Sequence, residues 1–380
     1  MSTTKLWAGA PLHNPWLFHR APVFTGDPAV FIENADGSTT MILRDIEIPR
    51  ARQANAAQEI CKYEEFAPDG GLSADRETGA GQSAAEYLVR RGVGSVVVDR
   101  SFPELYAHCI RERGIEVACD PELGVVERRM KNDREVEALR VAQKKTEQAV
   151  EFACRMIARA EVSRDGVLMH DGEPLTSERV QAEINVFLLK NGMGTSTSIA
   201  AGGDDAADCH HRGSGPLRTG QTVIVDVFPM DPASRYYGDC TRTVVHGDIP
   251  DDVAKAHAAV VAANDAAIGV TRAGVTGADI HRATVETLEK HGYSATPPSD
   301  GSLATVPTMM HGTGHGVGLD VHEPPLLVAG GPEIVVGDCL TIEPGLYAMG
   351  FGGIRVEDMV IARDGGSENL NSIPCGLDWR

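Results

Sequence analysis

The stretches VIVDVFPMDPASRYYGDCTRTVV (223–245) and CLTIEPGLYAMGFGGIRVEDMVIA (339–362) decide the fold of the C-terminal part of this chain. In each stretch two apolar, strand-forming arms carry one acidic residue apiece. The acids are Asp226 and Asp239 in the first stretch and Glu343 and Glu357 in the second. Four carboxylates brought together repel one another, and partly buried they cannot all stay ionised without cations. The pattern therefore predicts two strand pairs that face a common metal site.

The segment HGTGHGVGLDVHEPP (311–325) lies between the two stretches and carries His311, His315 and His322. Glycines on both sides of His315 let the backbone bend sharply and approach an ion closely. Carboxylates with one imidazole suit manganese, cobalt or iron, and zinc stays open although no thiolate ligand is implied. A surface acid or a structural glycine loop is the plainer interpretation of any one residue, but it leaves the matched acid pairs unexplained.

Composition narrows the class of protein. A chain of 380 residues can bury a large core and predicts two domains. The formal charge of −19 argues against nucleic-acid or anionic-membrane partners. We find no apolar run of signal-peptide or membrane-span length, and the eight cysteines are irregularly spaced, which favours reduced thiols. These features predict a cytoplasmic protein of the size of an enzyme.

Residues 1–127 are predicted to form a small α/β domain. A hairpin is expected around the turn-forming residues 34–37, followed by helix, strand, helix and strand up to residue 120. The segment from Asp69 to Gly81 is rich in glycine and small or acidic residues, so we expect an exposed loop there.

Residues 128–380 are predicted to form a second domain of two similar halves. Asn132 and Glu135 have the spacing of a capping box at the start of a long amphipathic helix. The expected helices run to about Ala160, from Thr176 to Asn191–Gly192, from Asp252 to Ile268 and from Gly277 to Gly292. Each pair of helices is followed by one acid-bearing hairpin. The expected fold class is therefore α/β (α+β), with a pseudo-duplicated C-terminal domain.

These residues carry a resemblance to a known family. DVF…GDCTRT, HGTGHGVGLDVHEPP, TIEPGLY and GGIRVED together resemble the motifs of the pita-bread metallopeptidases, which include Xaa-Pro aminopeptidases and prolidases. The similarity covers residues 128–365, and residues 1–127 resemble the creatinase/prolidase N-terminal domain. The resemblance implies a homodimeric exopeptidase that hydrolyses the N-terminal bond before a proline in peptides or dipeptides.

The resemblance also implies roles for individual residues. Two divalent ions, with manganese favoured, would be held by Asp226, Asp239, His315, Glu343 and Glu357, with Asp239 and Glu357 bridging. Glu343 would also shuttle the proton, and His322 would stabilise the oxyanion. His210 would be the first active-site histidine, with the adjacent His211 left open, and His311 would line the pocket. Arg355 would bind substrate.

Two departures from the family pattern lie beside the site. Phe228 stands where a glycine is common, and the first hairpin is about two residues longer than usual. Two alternatives of the same fold stay open at this stage. One is a metal-free, creatinase-like amidinohydrolase and the other is a non-catalytic binding protein, and the occupied ligand positions argue against both.

Overall fold

The computed structural model describes residues 3–380. The chain divides into two compact units, one ending at Arg128 and the other spanning Arg129–Arg380. None of the helices within residues 3–380 has both the length and the apolar character of a membrane span.

The first unit is built on one six-stranded sheet. Its strands are β1 (Thr4–Gly9), β2 (Ala29–Glu33), β3 (Thr39–Leu43), β4 (Glu59–Lys62), β5 (Ser95–Val98) and β6 (Glu116–Cys119). Its helices are α1 (Pro15–Arg20), α2 (Ile48–Gln53), α3 (Arg76–Arg90) and α4 (Glu104–Glu112), and α5 (Val125–Arg129) follows. The strand order is β4-β3-β2-β1-β5-β6. The expected hairpin is β2–β3, which is antiparallel, and the helix–strand alternation that follows is also as expected.

The predicted exposed loop from Asp69 to Gly81 is wrong in its second half. Asp75 caps α3 by accepting a hydrogen bond from the Thr78 amide at 2.9 Å, and the helix starts at Arg76. Gly81 is buried because α4 packs against it, and an added Cβ would lie 3.1 Å from Cys109 Sγ. The small residues that suggested a loop instead permit close helix packing.

The second unit has the expected two halves. Its helices are α6 (Asp133–Ala158), α7 (Ser177–Lys190), α8 (Asp251–Val270) and α9 (Gly277–Lys290). Asn132 and Glu135 form the predicted capping box at the start of α6. The small strands β7 (Glu161–Val162), β8 (Leu168–His170) and β9 (Glu173–Pro174) lie between α6 and α7 in the sequence.

Each half of this unit places a sheet beside its helix pair. The first sheet contains β10 (Ile199–Gly202), β11 (Thr222–Val227) and β12 (Cys240–Val245). The remaining strands are β13 (Gly314–Gly316), β14 (Glu323–Leu327), β15 (Cys339–Ile342), β16 (Gly345–Ala348), β17 (Gly352–Arg355), β18 (Asp358–Arg363) and β19 (Gly366–Asn369). Five of them form a second sheet in the order β14-β13-β15-β18-β19.

The second acid-bearing pair differs from the simple hairpin expected. β15 pairs with β18 in antiparallel register, but a separate hairpin, β16–β17, is inserted between them. The insertion explains why Glu343 and Glu357 lie just beyond the strand ends instead of within the strands. Asp239 likewise precedes β12, and only Asp226 lies inside a strand.

A buried ion pair fixes the segment that follows His322. The side chains of Lys131 and Glu323 are 1% and 3% exposed and contact each other directly. A buried charge that loses its partner is strongly destabilising, whereas an exposed pair contributes little.

We therefore expect Lys131→Met to lower the free energy of unfolding by about 3–5 kcal/mol. Arg155→Met, which breaks the solvent-exposed pair with Glu151, is the matched control and should cost about 0–1 kcal/mol. Urea denaturation of both variants measures the difference. Equal effects of the two substitutions would contradict the buried pairing.

Candidate metal centre and active site

Strand register brings the four acids together. β10, β11 and β12 pair in antiparallel fashion, with Asp226 opposite Ile199 on one side and Thr241 on the other. The two halves then join at Thr241, whose carbonyl accepts the Glu357 amide at 3.1 Å and whose hydroxyl donates to Glu357 Oε2 at 2.7 Å. The first acid pair is therefore held beside the second by backbone and side-chain hydrogen bonds.

His315 lies among these acids. Its Nδ1 lies 3.1 Å from the Gly316 carbonyl, which leaves Nε2 to face Glu343 Oε1 at 3.4 Å and Asp239 Oδ2 at 3.9 Å. The ligand atoms of Asp239, His315 and Glu357 all lie within 4.8 Å of one another. A histidine oriented by a carbonyl at one nitrogen and facing carboxylates with the other has the usual arrangement of a metal ligand.

Gly314 allows this close approach. A Cβ at this position would lie 2.0 Å from the Thr341 carbonyl oxygen, so a side chain would force β13 away from β15. The amide of His315 also donates to Thr341 Oγ1 at 3.0 Å. The glycine next to the histidine is therefore a packing requirement of the site.

The acids are electrostatically strained in the absence of a cation. Burial, followed by the charge of Glu357, raises the pKa of Asp239 well above its ordinary value. Burial, followed by the charges of Glu343 and Asp226, does the same to the pKa of Glu357. Burial also raises the pKa of Glu343. Asp226 Oδ1 is buried and lacks a hydrogen-bond partner. Divalent cations would relieve the repulsion and satisfy that oxygen, so these residues fit a metal site.

A cavity of about 430 Å³ opens above the acids. All nine residues to which the resemblance assigns a role line it: Asp226, Asp239, Glu343, Glu357, His210, His311, His315, His322 and Arg355. His211 is not among the lining residues, and its Nδ1 instead accepts the Gly213 amide at 3.0 Å. The structure thus places His210, and not its neighbour, at the cavity.

Three histidines surround the acids. His322 stacks edge-on against His315 with 4.3 Å between ring centroids, and burial lowers the pKa of both rings. His311 Nε2 lies 2.7 Å from the Tyr347 hydroxyl, and burial lowers its pKa too. Each of these rings is therefore favoured in its neutral form, with one N–H to donate.

Arg355 makes more contacts within the protein than the sequence suggested. The residue is 3% exposed, and its guanidinium contacts Asp226 Oδ2 at 2.6 Å. It also donates to the Tyr347 hydroxyl at 2.9 Å and to the Cys209 carbonyl at 3.3 Å. Its charge offsets part of the negative charge of the acids.

Two residues that support the acids were not predicted from the sequence. Arg242 is 1% exposed, forms an ion pair with Asp358 at 2.8 Å and donates to the Glu357 carbonyl. Gln143 of α6 accepts the Asp239 amide at 2.8 Å and donates to the carbonyl of the same residue at 2.7 Å. The sequence signal for Arg242 was the polar run Thr241-Arg242-Thr243 inside an otherwise apolar strand.

Comparisons with known proteins agree with this geometry. Residues 137–364 match metallopeptidase family M24. A probable dipeptidase, PepE, of Mycobacterium tuberculosis is 34% identical over 205 residues, which is 53% of this chain and 51% of the relative. The Xaa-Pro dipeptidase of Lactobacillus delbrueckii is 31% identical over 49% of this chain and 48% of its own length. The chain thus spans about half the length of these relatives.

Solved structures extend the likeness in fold to nearly the whole chain. A Bacillus anthracis Xaa-Pro dipeptidase superposes with a TM-score of 0.81 and 23% identity over 99% of this chain and 94% of that one. Pyrococcus furiosus prolidase gives a TM-score of 0.77 and 20% identity over 98% and 97%. The predicted α/β fold class and the pita-bread resemblance are confirmed. The chain belongs to metallopeptidase family M24, a family of enzymes that work with divalent metal ions.

Proposed function

We propose that this protein is an exopeptidase that hydrolyses the N-terminal Xaa-Pro bond of peptides or dipeptides. The observation that carries the proposal is the convergence of Asp239, His315 and Glu357 at the floor of a substrate-sized cavity. Relatives named Xaa-Pro dipeptidase support the choice of substrate.

The proposed cofactor is a pair of divalent ions. Asp226 would hold one ion, His315 and Glu343 the other, and Asp239 and Glu357 would bridge them. Manganese is favoured by the carboxylate-rich donor set, and cobalt, iron or zinc would also fit. Bound cations of this kind act as Lewis acids toward a carbonyl and make water more acidic.

The side chains around the acids supply the remaining chemistry. Glu343, whose pKa is raised by burial, would take a proton from the attacking water and pass it to the leaving nitrogen. His322 would donate its N–H to the carbonyl oxygen as negative charge develops there. His311 and His210 would line the substrate site. Arg355, which the resemblance implies to be a substrate-binding residue, would instead hold Asp226 in place, because its guanidinium is buried against that carboxylate.

The domain assignment, assembly and location are further parts of the proposal. Residues 1–127 would be a creatinase/prolidase-like domain and residues 128–380 the catalytic pita-bread domain. A homodimer follows from the family resemblance. Eight free cysteines support a reducing, cytoplasmic location.

Assays of metal-loaded protein test the proposed function. Apoprotein supplied with manganese, cobalt or zinc should bind metal and cleave Ala-Pro or Ala-Pro-Ala. It should hydrolyse Ala-Ala and creatine much more slowly. Metal-free activity toward a guanidino compound would favour the amidinohydrolase, and absence of bound metal after loading would favour a binding protein.

A further inference from the structure

Two permanently charged cations occur among the described residues that line the cavity, Arg212 and Arg355. Arg355 is committed to the protein itself, because it is buried and makes four hydrogen bonds. Their acceptors are Asp226, Tyr347, Thr241 and the Cys209 carbonyl. A substrate anion that entered the cavity would compete with all of these partners for Arg355.

Arg212 is in the opposite situation. The residue is exposed, and its guanidinium makes one long hydrogen bond, 3.4 Å to Gln181 Oε1. Among residues 3–380, no carboxylate forms an ion pair with it. An arginine that lines a cavity without an anionic partner is available to a ligand.

The backbone of Arg212 is nevertheless held firmly. Its carbonyl accepts the Ala200 amide at 3.0 Å and Gln181 Nε2 at 2.6 Å. The next residue, Gly213, has φ +88°, and a Cβ there would lie 2.2 Å from the Ala200 carbonyl oxygen, so only glycine fits. Ala200 belongs to β10, whose Ile199 pairs with Asp226. The backbone of the arginine and Asp226 are thus positioned by the same sheet.

Resting on the proposed function, we infer that Arg212 binds the C-terminal carboxylate of the substrate and thereby selects dipeptides. A dipeptide carries an ammonium group at one end and a carboxylate at the other. The cavity offers both complementary charges, because four carboxylates and Arg212 are among the residues that line it. A planar guanidinium binds a carboxylate through two parallel hydrogen bonds.

The proposed contact with Arg212 depends on the length of the peptide substrate. Each additional residue moves the terminal carboxylate by up to about 3.3–3.6 Å. A tripeptide would place an uncharged amide where the dipeptide has its carboxylate, and the charged contact would be lost. The same loss occurs in a dipeptide whose C-terminus is amidated.

The test compares Ala-Pro with its C-terminal amide and with Ala-Pro-Ala. Wild-type protein should show a kcat/KM at least about 10-fold higher for Ala-Pro than for the amide. In Arg212→Gln that ratio should fall to near 1, a loss of at least about 10-fold, and Arg212→Lys should retain part of it. Arg218→Gln removes the same charge from the same segment outside the cavity, and its ratio should match the wild type.

Several results would overturn the inference while leaving the proposed function intact. One is equal hydrolysis of Ala-Pro and its amide by the wild type, and another is an unchanged ratio in Arg212→Gln. If no proline peptide is hydrolysed, the proposed function fails instead. Calorimetric titration with proline and prolinamide then decides the role of Arg212. A loss of about 10-fold in proline affinity in Arg212→Gln supports the inference, and equal affinity of the two proteins refutes it.

Discussion

Replacing Glu343 by alanine should lower kcat by about 10²- to 10⁴-fold or more, the range expected when a positioned proton-transfer group is lost. Glu343 lines the cavity with its side chain 18% exposed, and its Oε1 lies 3.4 Å from His315 Nε2 and accepts a hydrogen bond from Thr341 at 3.3 Å. Burial raises its pKa, which brings this carboxyl closer to the pH at which it must accept and release a proton.

The Glu343 experiment needs a measurement that separates chemistry from metal binding. Metal content is determined on the same samples, and Glu343→Gln is included because it preserves shape while removing the basic oxygen. Glu286→Gln, an exposed acid on α9, is the control and should leave kcat unchanged. Full activity of Glu343→Ala would refute the proton-transfer role.

Asp239→Asn should lower the activity of the metal-loaded protein but raise the stability of the metal-free protein. In the loaded protein we expect kcat to fall by more than the roughly 10- to 100-fold that loss of an outer-shell partner costs, because the proposed metal site would lose the charge of a direct ligand. Metal affinity should fall as well, and atomic absorption of dialysed protein measures it.

In the metal-free protein the same substitution should raise stability. The pKa of Asp239 is raised in the folded state by burial and by Glu357. A carboxyl with a raised folded-state pKa destabilises the fold when ionised, and the penalty appears as pH rises from the unfolded-state pKa through the folded-state one. The gain in Tm of metal-free Asp239→Asn over metal-free wild type should therefore be larger at pH 8 than at pH 5.

Asp364→Asn provides the comparison for this stability measurement, because Asp364 is an exposed acid in the turn between β18 and β19. Its Tm difference from the wild type should be small and similar at the two pH values. If metal-free Asp239→Asn were less stable than the wild type at pH 8, the acids would not be in mutual repulsion.

Much of the second unit could be predicted because its signals are local. The Asn132 capping box, the Asn191–Gly192 helix end and the apolar periodicity of α6 depend on residues a few positions apart, and the structure has α6 and α7 where these signals placed them. The predicted loop at Asp69–Gly81 failed because the packing of α4 against Gly81 involves residues distant in sequence.

The sequence by itself determined the chemistry available to this protein: four acids on matched arms, a glycine-flanked histidine, and the family motifs that contain them. Their spacing along the chain was enough for this because a strand pair must place its two arms side by side. Only the tertiary structure decided which partners each of these side chains contacts and which of them line the cavity. It showed that Arg355 is occupied by Asp226, that His210 and not His211 lines the cavity, and that Arg212 has no anionic partner among the described residues. Such pairings depend on distances between side chains far apart in sequence, which no local pattern records.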